Sequence, residues 1–281
     1  MVVSVAHLGP PGTYAEAAAL AYVSWLTQMG KEALLCPYPS IAQTLRAVAQ
    51  GQADLAVVPV ENSVEGSVTT TLDTLWQLDT LQIQQGLVLP ISHALMSRAA
   101  NLEAIQTVYS HPQALAQCQG WLERFLPQVQ LVPTNATTEG LQYLDEDKTA
   151  AAIASSRAAQ LYNRPILVCP INDYVDNYTR FWVLSLQPAT GGNCTSLAFS
   201  VPANVPGALA KPLQVFASRD INLSRIESRP TKRSLGDYLF FVDLEANTTE
   251  ASVQSALEEL STYTEKLKIF GSYSILPVGK L

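Results

Sequence analysis

The sequence predicts an α/β protein in two parts: a two-lobed unit over residues 1–186 and a small βαββαβ sandwich over residues 195–281, joined by a linker at 187–194. Three observations carry this. Through the first two thirds of the chain, short apolar runs alternate with helix-length ones, the pattern of βα units with parallel strands and helices on both faces. The stretch Gln187-Pro188-Ala189-Thr190-Gly191-Gly192-Asn193 is rich in turn formers and ends that alternation. Beyond it, the order strand–helix–strand–strand–helix–strand fits into about 85 residues, the ferredoxin-like order.

The first strand is predicted at 2–8, where an apolar run lacks the basic region and small-residue cleavage site of an export signal. A helix follows over 14–28, then strands at 33–37 and 55–60 flanking a helix over 41–50, then a helix over 69–78. Residues 82–95 read as one long extended segment interrupted at Pro90. Short apolar strands at 107–110 and 150–154 bracket helices near 113–125 and 137–145, and a further helix covers 156–162. The long middle segment and a late strand at Phe181 predict lobe 1 over about 1–80 and 160–186 and lobe 2 over about 81–159. Crossing connections would leave a cleft between them, where ligands of open α/β sheets bind. In the second part the strands are 196–201, 223–228, 238–245 and 268–276, and the helices 207–218 and 250–263. Such sandwiches often pair edge to edge.

Bulk properties exclude several classes. Apolar residues make up 48% and charged residues 15%, as in a folded protein. The longest apolar runs are broken by Pro, His or Ser, so no membrane span is expected. Cys36, Cys118, Cys169 and Cys194 are scattered without paired spacing, which argues against a zinc site and a disulfide scaffold and fits a reducing cytoplasm. The net charge is −7, all of it in residues 1–180. Neither part is basic enough for nucleic acid.

Five segments concentrate polar chemistry. Gly9-Pro10-Pro11-Gly12-Thr13-Tyr14 follows a strand and opens a helix, so its amides can hold an anion; an ordinary turn has the same form. Pro59-Val60-Glu61-Asn62-Ser63-Val64-Glu65-Gly66-Ser67-Val68 packs acids, an amide, hydroxyls and a glycine behind a strand; helix capping by Ser67 or Thr69 is the plainer reading. Ser110-His111-Pro112-Gln113-Ala114-Leu115 and Asn135-Ala136-Thr137-Thr138-Glu139 are two more polar turns into helices, with His111 either a general acid or a cap. In Asn177-Tyr178-Thr179-Arg180-Phe181-Trp182 a hydroxyl and a permanent cation open an apolar strand. Arg180 needs an anion there, either a surface acid or a ligand carboxylate, which its planar fork fits.

In this order, these motifs resemble prephenate dehydratase, and Gly207-Ala208-Leu209 with Glu227-Ser228-Arg229-Pro230 resembles its ACT regulatory domain. The resemblance covers nearly the whole chain. With no chorismate mutase segment ahead of Gly9, a monofunctional form is expected. It implies a periplasmic-binding-protein-like (type II) catalytic domain and a cytoplasmic lyase that converts prephenate to phenylpyruvate, carbon dioxide and water without metal or cofactor. Thr179 would stand beside the leaving hydroxyl, passing or orienting a proton, and Arg180 would bind a carboxylate. Asn62 and Ser63 would act with them, and Glu61 or Glu65 would be an alternative acid if burial raises its pKa. Gly12, Thr13, Glu65, Ser67, Ser110, His111, Thr138, Asn177 and Phe181 would complete the substrate site. Pro206, Gly207, Ala208, Leu209, Leu223, Ser224, Glu227, Ser228, Arg229 and Pro230 would form a phenylalanine site in a homodimer or a dimer-of-dimers tetramer. The rivals are an arogenate dehydratase, marked by a pocket acid facing the substrate amine, and a non-catalytic amino-acid sensor. An exported solute-binding protein would share the two-lobed fold but needs a signal peptide.

Overall fold

β1 (Val3–Leu8) pairs in parallel with both β2 (Ala33–Tyr38) and β3 (Leu55–Asn62), and the connections run through α1 (Tyr14–Gln28) and α2 (Ile41–Ala49). Residues 2–189 and 191–278 are described by this computed structural model; Thr190 of the linker and residues 279–281 of the C-terminal part lie outside it. α1 starts where Thr13, in extended conformation, accepts the Glu16 N–H on its hydroxyl. Its alanines, Tyr22 and Leu26 pack against Val5, Val57 and Phe181.

After β4 (Gly66–Ser67), α3 (Thr69–Gln77) and β5 (Gln82–Pro90), the chain crosses to a second sheet. That sheet holds β6 (His93–Ser97), β7 (Thr107–Ser110), β8 (Gln130–Pro133), β9 (Ala150–Ser155) and β10 (Ile166–Val168) in the order β10-β6-β9-β7-β8. Its helices are α4 (Pro112–Ala116), α5 (Gln119–Phe125) and α6 (Ser156–Leu161). The chain returns as β11 (Tyr178–Ser185), which inserts antiparallel between β3 and β5. The resulting order β2-β1-β3-β11-β5 is the two-lobed type II arrangement. Crossings therefore fall at 91–92 and 169–177, not at 81 and 159. Pro90 ends β5 because it cannot extend the ladder.

Two predicted helices differ. The 113–125 helix breaks at Gln117 and Cys118, where the Asp173 N–H bonds the Gln117 carbonyl and the Asp173 carboxylate accepts the Gly120 and Trp121 N–H groups at 2.8 Å, restarting the helix. Residues Glu139–Asp145 form a 3₁₀ helix, whose three-residue period puts Leu141 and Leu144 together on the buried side. Gly140 permits the close approach: a Cβ there would stand 2.7 Å from the Tyr109 Cβ.

The third sheet holds β12 (Cys194–Ser200), β13 (Leu223–Pro230), β14 (Tyr238–Leu244) and β15 (Lys266–Tyr273) in the order β13-β14-β12-β15, with α7 (Ala210–Ala217) and α8 (Ala251–Tyr263) on one face. This is the ferredoxin-like topology. The last predicted strand divides: β15 stays in this sheet, while β16 (Ile275–Pro277) pairs in parallel with β5 of the first. The other face of the third sheet packs on the first lobe. Phe241, Phe270 and Tyr273 share one buried cluster with Val58, Leu72, Leu75 and Trp182. The Trp182 indole donates to the Tyr273 hydroxyl at 3.0 Å.

Candidate active site

Successive side chains on a strand face opposite ways, and this decides what β11 does. Thr179 and Phe181 line a cleft of about 1030 Å³ between the two lobes. Arg180 and Trp182 face the third sheet. On β3 the register slips between Arg180↔Glu61 and Phe181↔Pro59, leaving Val60 as a bulge. The bulge puts Glu61 on the Arg180 side and turns Asn62 back into the cleft beside Thr179.

The cleft floor is a buried amide network spanning both lobes. Asn62 Oδ1 accepts the Val64 and Glu65 N–H groups, each at 3.0 Å, and this fixes the amide's orientation. Its Nδ2 therefore faces Asn177 Oδ1 at 2.8 Å, the Tyr178 carbonyl at 3.2 Å and Thr179 Oγ1 at 3.0 Å. Since Thr179 Oγ1 accepts from Asn62, its own proton is left for the cleft. Gln117, from the second lobe, donates its Nε2 to Asn62 Oδ1 at 3.2 Å, and its Oε1 accepts Asn177 Nδ2 at 2.8 Å. Gln117 Oε1 also meets His93 Nε2 at 3.0 Å, and His93 Nδ1 meets the Tyr14 hydroxyl at 3.2 Å. Burial pushes the His93 imidazole below its ordinary pKa, against the raising effect of Gln117. Burial raises the Tyr14 phenol well above its ordinary value.

Thr138 lines the cleft from the second lobe, and its buried Oγ1 has no hydrogen-bond partner among the described residues. Such an atom calls for a bound group. His111 lines the cleft and caps α4, its Nδ1 accepting the Gln113 N–H at 3.3 Å; burial lowers its pKa. Thr13 lines the cleft as the cap of α1.

Other expectations are corrected. Arg180 does not face the cleft. Its Nη2 donates to Glu61 Oε2 at 2.8 Å and to Asp243 Oδ2, on β14, at 2.7 Å. Glu61 is thus the partner of Arg180 rather than an acid in the cleft. Asp243 also accepts Arg225 Nε at 2.9 Å and Ser196 Oγ at 2.6 Å. Burial works against its charge, but Arg225 and Arg180 hold the Asp243 carboxyl below the usual range. Ser67 lies at the same junction, donating to Glu227 Oε2 at 3.1 Å and accepting from Arg225 Nη1 at 3.3 Å. The Gly12 N–H is taken by Glu16 Oε2 at 2.7 Å, so it offers no anion site. Gly12, at φ +83°, is instead where the lobes touch: a Cβ would meet Thr138 Cγ2 at 3.1 Å. Ser63 ties β11 to β3, accepting the Tyr178 N–H and donating to the Asp176 carbonyl. Glu65 is exposed, and only its N–H serves the network. Ser110 is buried against the Ile153 carbonyl at 2.6 Å, and Asn177 stands behind the cleft wall.

In the third sheet, residues 207–209 form a turn, and α7 begins only at Ala210. The Ala208 and Ala210 N–H groups are used inside that turn. On β13 the Glu227 and Arg229 side chains face the first lobe, Arg229 gripping Asp73 of α3 through two bonds of 3.1 Å. Ser224 and Ile226 point the other way and are exposed.

His93 and Gln117 were not legible as site residues in the sequence. A His in an extended segment and a Gln inside a predicted helix carry no local signal; only the broken helix and the crossing at 91–92 bring them together.

Fold and cleft define a two-lobed α/β protein with a polar cleft between its lobes and a ferredoxin-like sandwich attached. A family model for prephenate dehydratase matches residues 5–189, and one for the ACT domain matches residues 195–262. The chain belongs to the prephenate dehydratase family. It is 43% identical over 274 residues to the bifunctional chorismate mutase/prephenate dehydratase of Aquifex aeolicus, covering 96% of this chain and 73% of that protein. It is 36% identical to the prephenate dehydratase of Lactococcus lactis subsp. cremoris, with 99% of both chains covered. The crystal structure of prephenate dehydratase in complex with L-Phe from Arthrobacter aurescens superposes with a TM-score of 0.84 at 36% identity, covering 97% of this chain and 90% of that one. No helix among the described residues is long and apolar enough to cross a membrane.

Proposed function

We propose that the chain is a lyase that removes water and carbon dioxide from prephenate to give phenylpyruvate, with Thr179 delivering the proton to the departing hydroxyl. The observation that carries this is the fixed direction of the Asn62–Thr179 hydrogen bond, which leaves the Thr179 proton for the cleft. The C–CO₂ bond breaks, its electron pair enters the ring, and the C–OH bond breaks as the oxygen takes up a proton. Aromatisation drives the step, so a hydroxyl held in place suffices where a stronger acid is not needed. The proton that Thr179 gives up is replaced through the cleft from solvent.

The outward turn of Arg180 suits this chemistry. The departing carboxylate loses its charge on the way to the transition state, so a bidentate arginine there would stabilise the ground state more and slow the reaction. The retained keto-acid end is assigned to dipoles: the Thr138 hydroxyl, the Asn135–Thr138 turn and His111. Prephenate is favoured over arogenate because the two acids lining the cleft are both engaged. Glu139 Oε2 accepts the Asn135 N–H at 2.7 Å, and Asp145 pairs with Arg164 and Arg98. Asp145 is neutralised by its arginines and one Glu139 oxygen is held by its own turn, which weakens both as partners for a substrate ammonium.

By analogy with the relative solved with L-Phe, phenylalanine is assigned as the effector. The turn at 206–209 and the outer side of β13, from Leu223 and Ser224 to Ser228 and Pro230, form its site. β13 is a sheet edge, so a second copy pairing there would give a dimer. The effector's route to the cleft is the Arg180–Asp243–Arg225 cluster behind Thr179.

The test is ultraviolet detection of phenylpyruvate from prephenate and from arogenate, each with and without phenylalanine. Turnover of prephenate with the higher kcat/KM, suppressed by phenylalanine, is expected. Preference for arogenate, or no turnover of either, overturns the reading.

A further inference from the structure

We propose that His93 is a positioning residue: as its Nε2–H tautomer it locks the Gln117 amide, which braces the Asn62–Thr179 donor from the opposite lobe. The tautomer follows from a chain of constraints that begins at the backbone. The Val64 and Glu65 N–H groups fix Asn62 Oδ1 as an acceptor. Gln117 must then present Nε2 to it, at 3.2 Å. That leaves Gln117 Oε1 toward His93 Nε2 at 3.0 Å, so this nitrogen carries the proton. The bare Nδ1 stands 3.2 Å from the Tyr14 hydroxyl, whose single proton is shared between it and the nearer Ser92 carbonyl at 2.7 Å, so the Gln117 side alone sets the tautomer. With the proton on Nδ1 instead, two acceptors would face each other at 3.0 Å, and Gln117 would have to turn and present Oε1 to Asn62 Oδ1.

The placement gives this lock a purpose. His93 opens β6, immediately after the first crossing, and its N–H is held by Asn172 Oδ1 at 2.6 Å beside the second. The His93 backbone is therefore fixed at both connections between the lobes, and the imidazole projects from it toward Gln117. Gln117 sits on the broken turn between α4 and α5 and reaches across to Asn62. Among the described residues no backbone group holds the Gln117 side-chain amide; its partners are Asn62, Asn177 and His93. Without the His93 N–H, the cross-lobe brace keeps Asn62 and Asn177 but loses one of its three holds, and Thr179 loses part of its fixed direction.

The kinetic arm of the test rests on the proposed dehydratase reading, whereas the spectroscopic arm does not. With three histidines in the chain, selective ¹⁵N-histidine labelling of the full-length protein resolves each ring by NMR. His93 is expected as the neutral Nε2–H form at pH 7; an Nδ1–H signal overturns the inference whatever the protein catalyses. His93→Leu is expected to lower kcat roughly ten- to hundredfold with KM held within about twofold, since the buried Gln117 Oε1 loses one of its two donors and the brace its hold on the ring side. His93→Gln returns an N–H donor to the Nε2 position and is expected to recover most of the loss. A kcat for His93→Leu within about twofold of the unmodified protein overturns the proposal, as does His93→Gln being equally impaired. Should His93→Leu fail to fold, the His93→Gln variant and the tautomer still decide. Absence of prephenate turnover by the unmodified protein would sink the dehydratase reading and leave the tautomer test standing.

Discussion

Asp243→Asn separates a structural Arg180 from a substrate-binding one. Asp243 is 2% exposed in its side chain and receives Arg180, Arg225 and Ser196 at 2.7, 2.9 and 2.6 Å. Neutralising it leaves two arginine charges in a poorly solvated junction. Removing one partner of such a cluster costs about 3–5 kcal/mol. In a chain of this size that lowers the melting midpoint by roughly 6–20 °C. Arg180→Met should cost less, about 1–3 kcal/mol, because Asp243 keeps Arg225 and Ser196 while Glu61, partly exposed, returns to water. The double variant should fall short of the sum by about 1–3 kcal/mol, since the sites share one bond. The assay is calorimetric melting with prephenate kinetics on each variant. Arg180→Lys should leave KM within about twofold. A tenfold or larger rise in KM for Arg180→Lys, together with a melting point for Asp243→Asn within about 2 °C of the unmodified protein, would refute the geometry argued here.

Thr179→Ala should lower kcat by about 10²–10⁴-fold with the melting point unchanged, and Thr179→Ser should retain much of the rate; near-normal turnover of the alanine variant removes Thr179 from the mechanism. Thr138→Val should raise KM while leaving stability unchanged or slightly higher, because it deletes a buried hydroxyl that has no partner among the described residues; a marked loss of stability would mean the hydroxyl is already bonded. The depressed Asp243 carboxyl contributes stability that is fully present above its unfolded value of 3.8 and lost as pH falls through its lower folded value. Acid melting curves should therefore steepen below about pH 4 and flatten in Asp243→Asn, and parallel curves would exclude the cluster as the source. Titration calorimetry with phenylalanine should give heat at millimolar ligand; its absence would remove the effector site.

Much of the architecture was legible from periodicity and turn chemistry, because those signals are local. The alternation of strands and helices, the linker near Gly191-Gly192 and the βαββαβ order all rest on short windows. The misplaced features depend on contacts distant in sequence. Asp173 interrupts the helix at Gln117 from more than fifty residues away. Likewise, β16 leaves the third sheet because β5 offers it an edge. In the site, residue types were readable but facing directions were not. A period of two, counted outward from Val58 and Val60, would put Asn62 on the interface side; the Val60 bulge reverses that.

That bulge also explains how one strand pair serves two ends. On β3 and β11 the cleft face carries Asn62 and Thr179, and the opposite face carries Glu61 and Arg180, at adjacent positions paired to each other. Arg180 is the next residue after Thr179 and is bonded to Asp243, so a shift of Asp243 or Arg225 in the third sheet bears on the backbone that aims the Thr179 hydroxyl. β13, which carries Arg225, also grips Asp73 of α3 through Arg229, and α3 begins beside Val68 and Thr70 on the cleft wall. An effector that prefers one position of β13 therefore biases both walls, and coupling requires only that its affinity differ between the two positions. A flat, unbulged β3 would have turned Asn62 toward the regulatory sheet and left Thr179 without the amide that directs its proton.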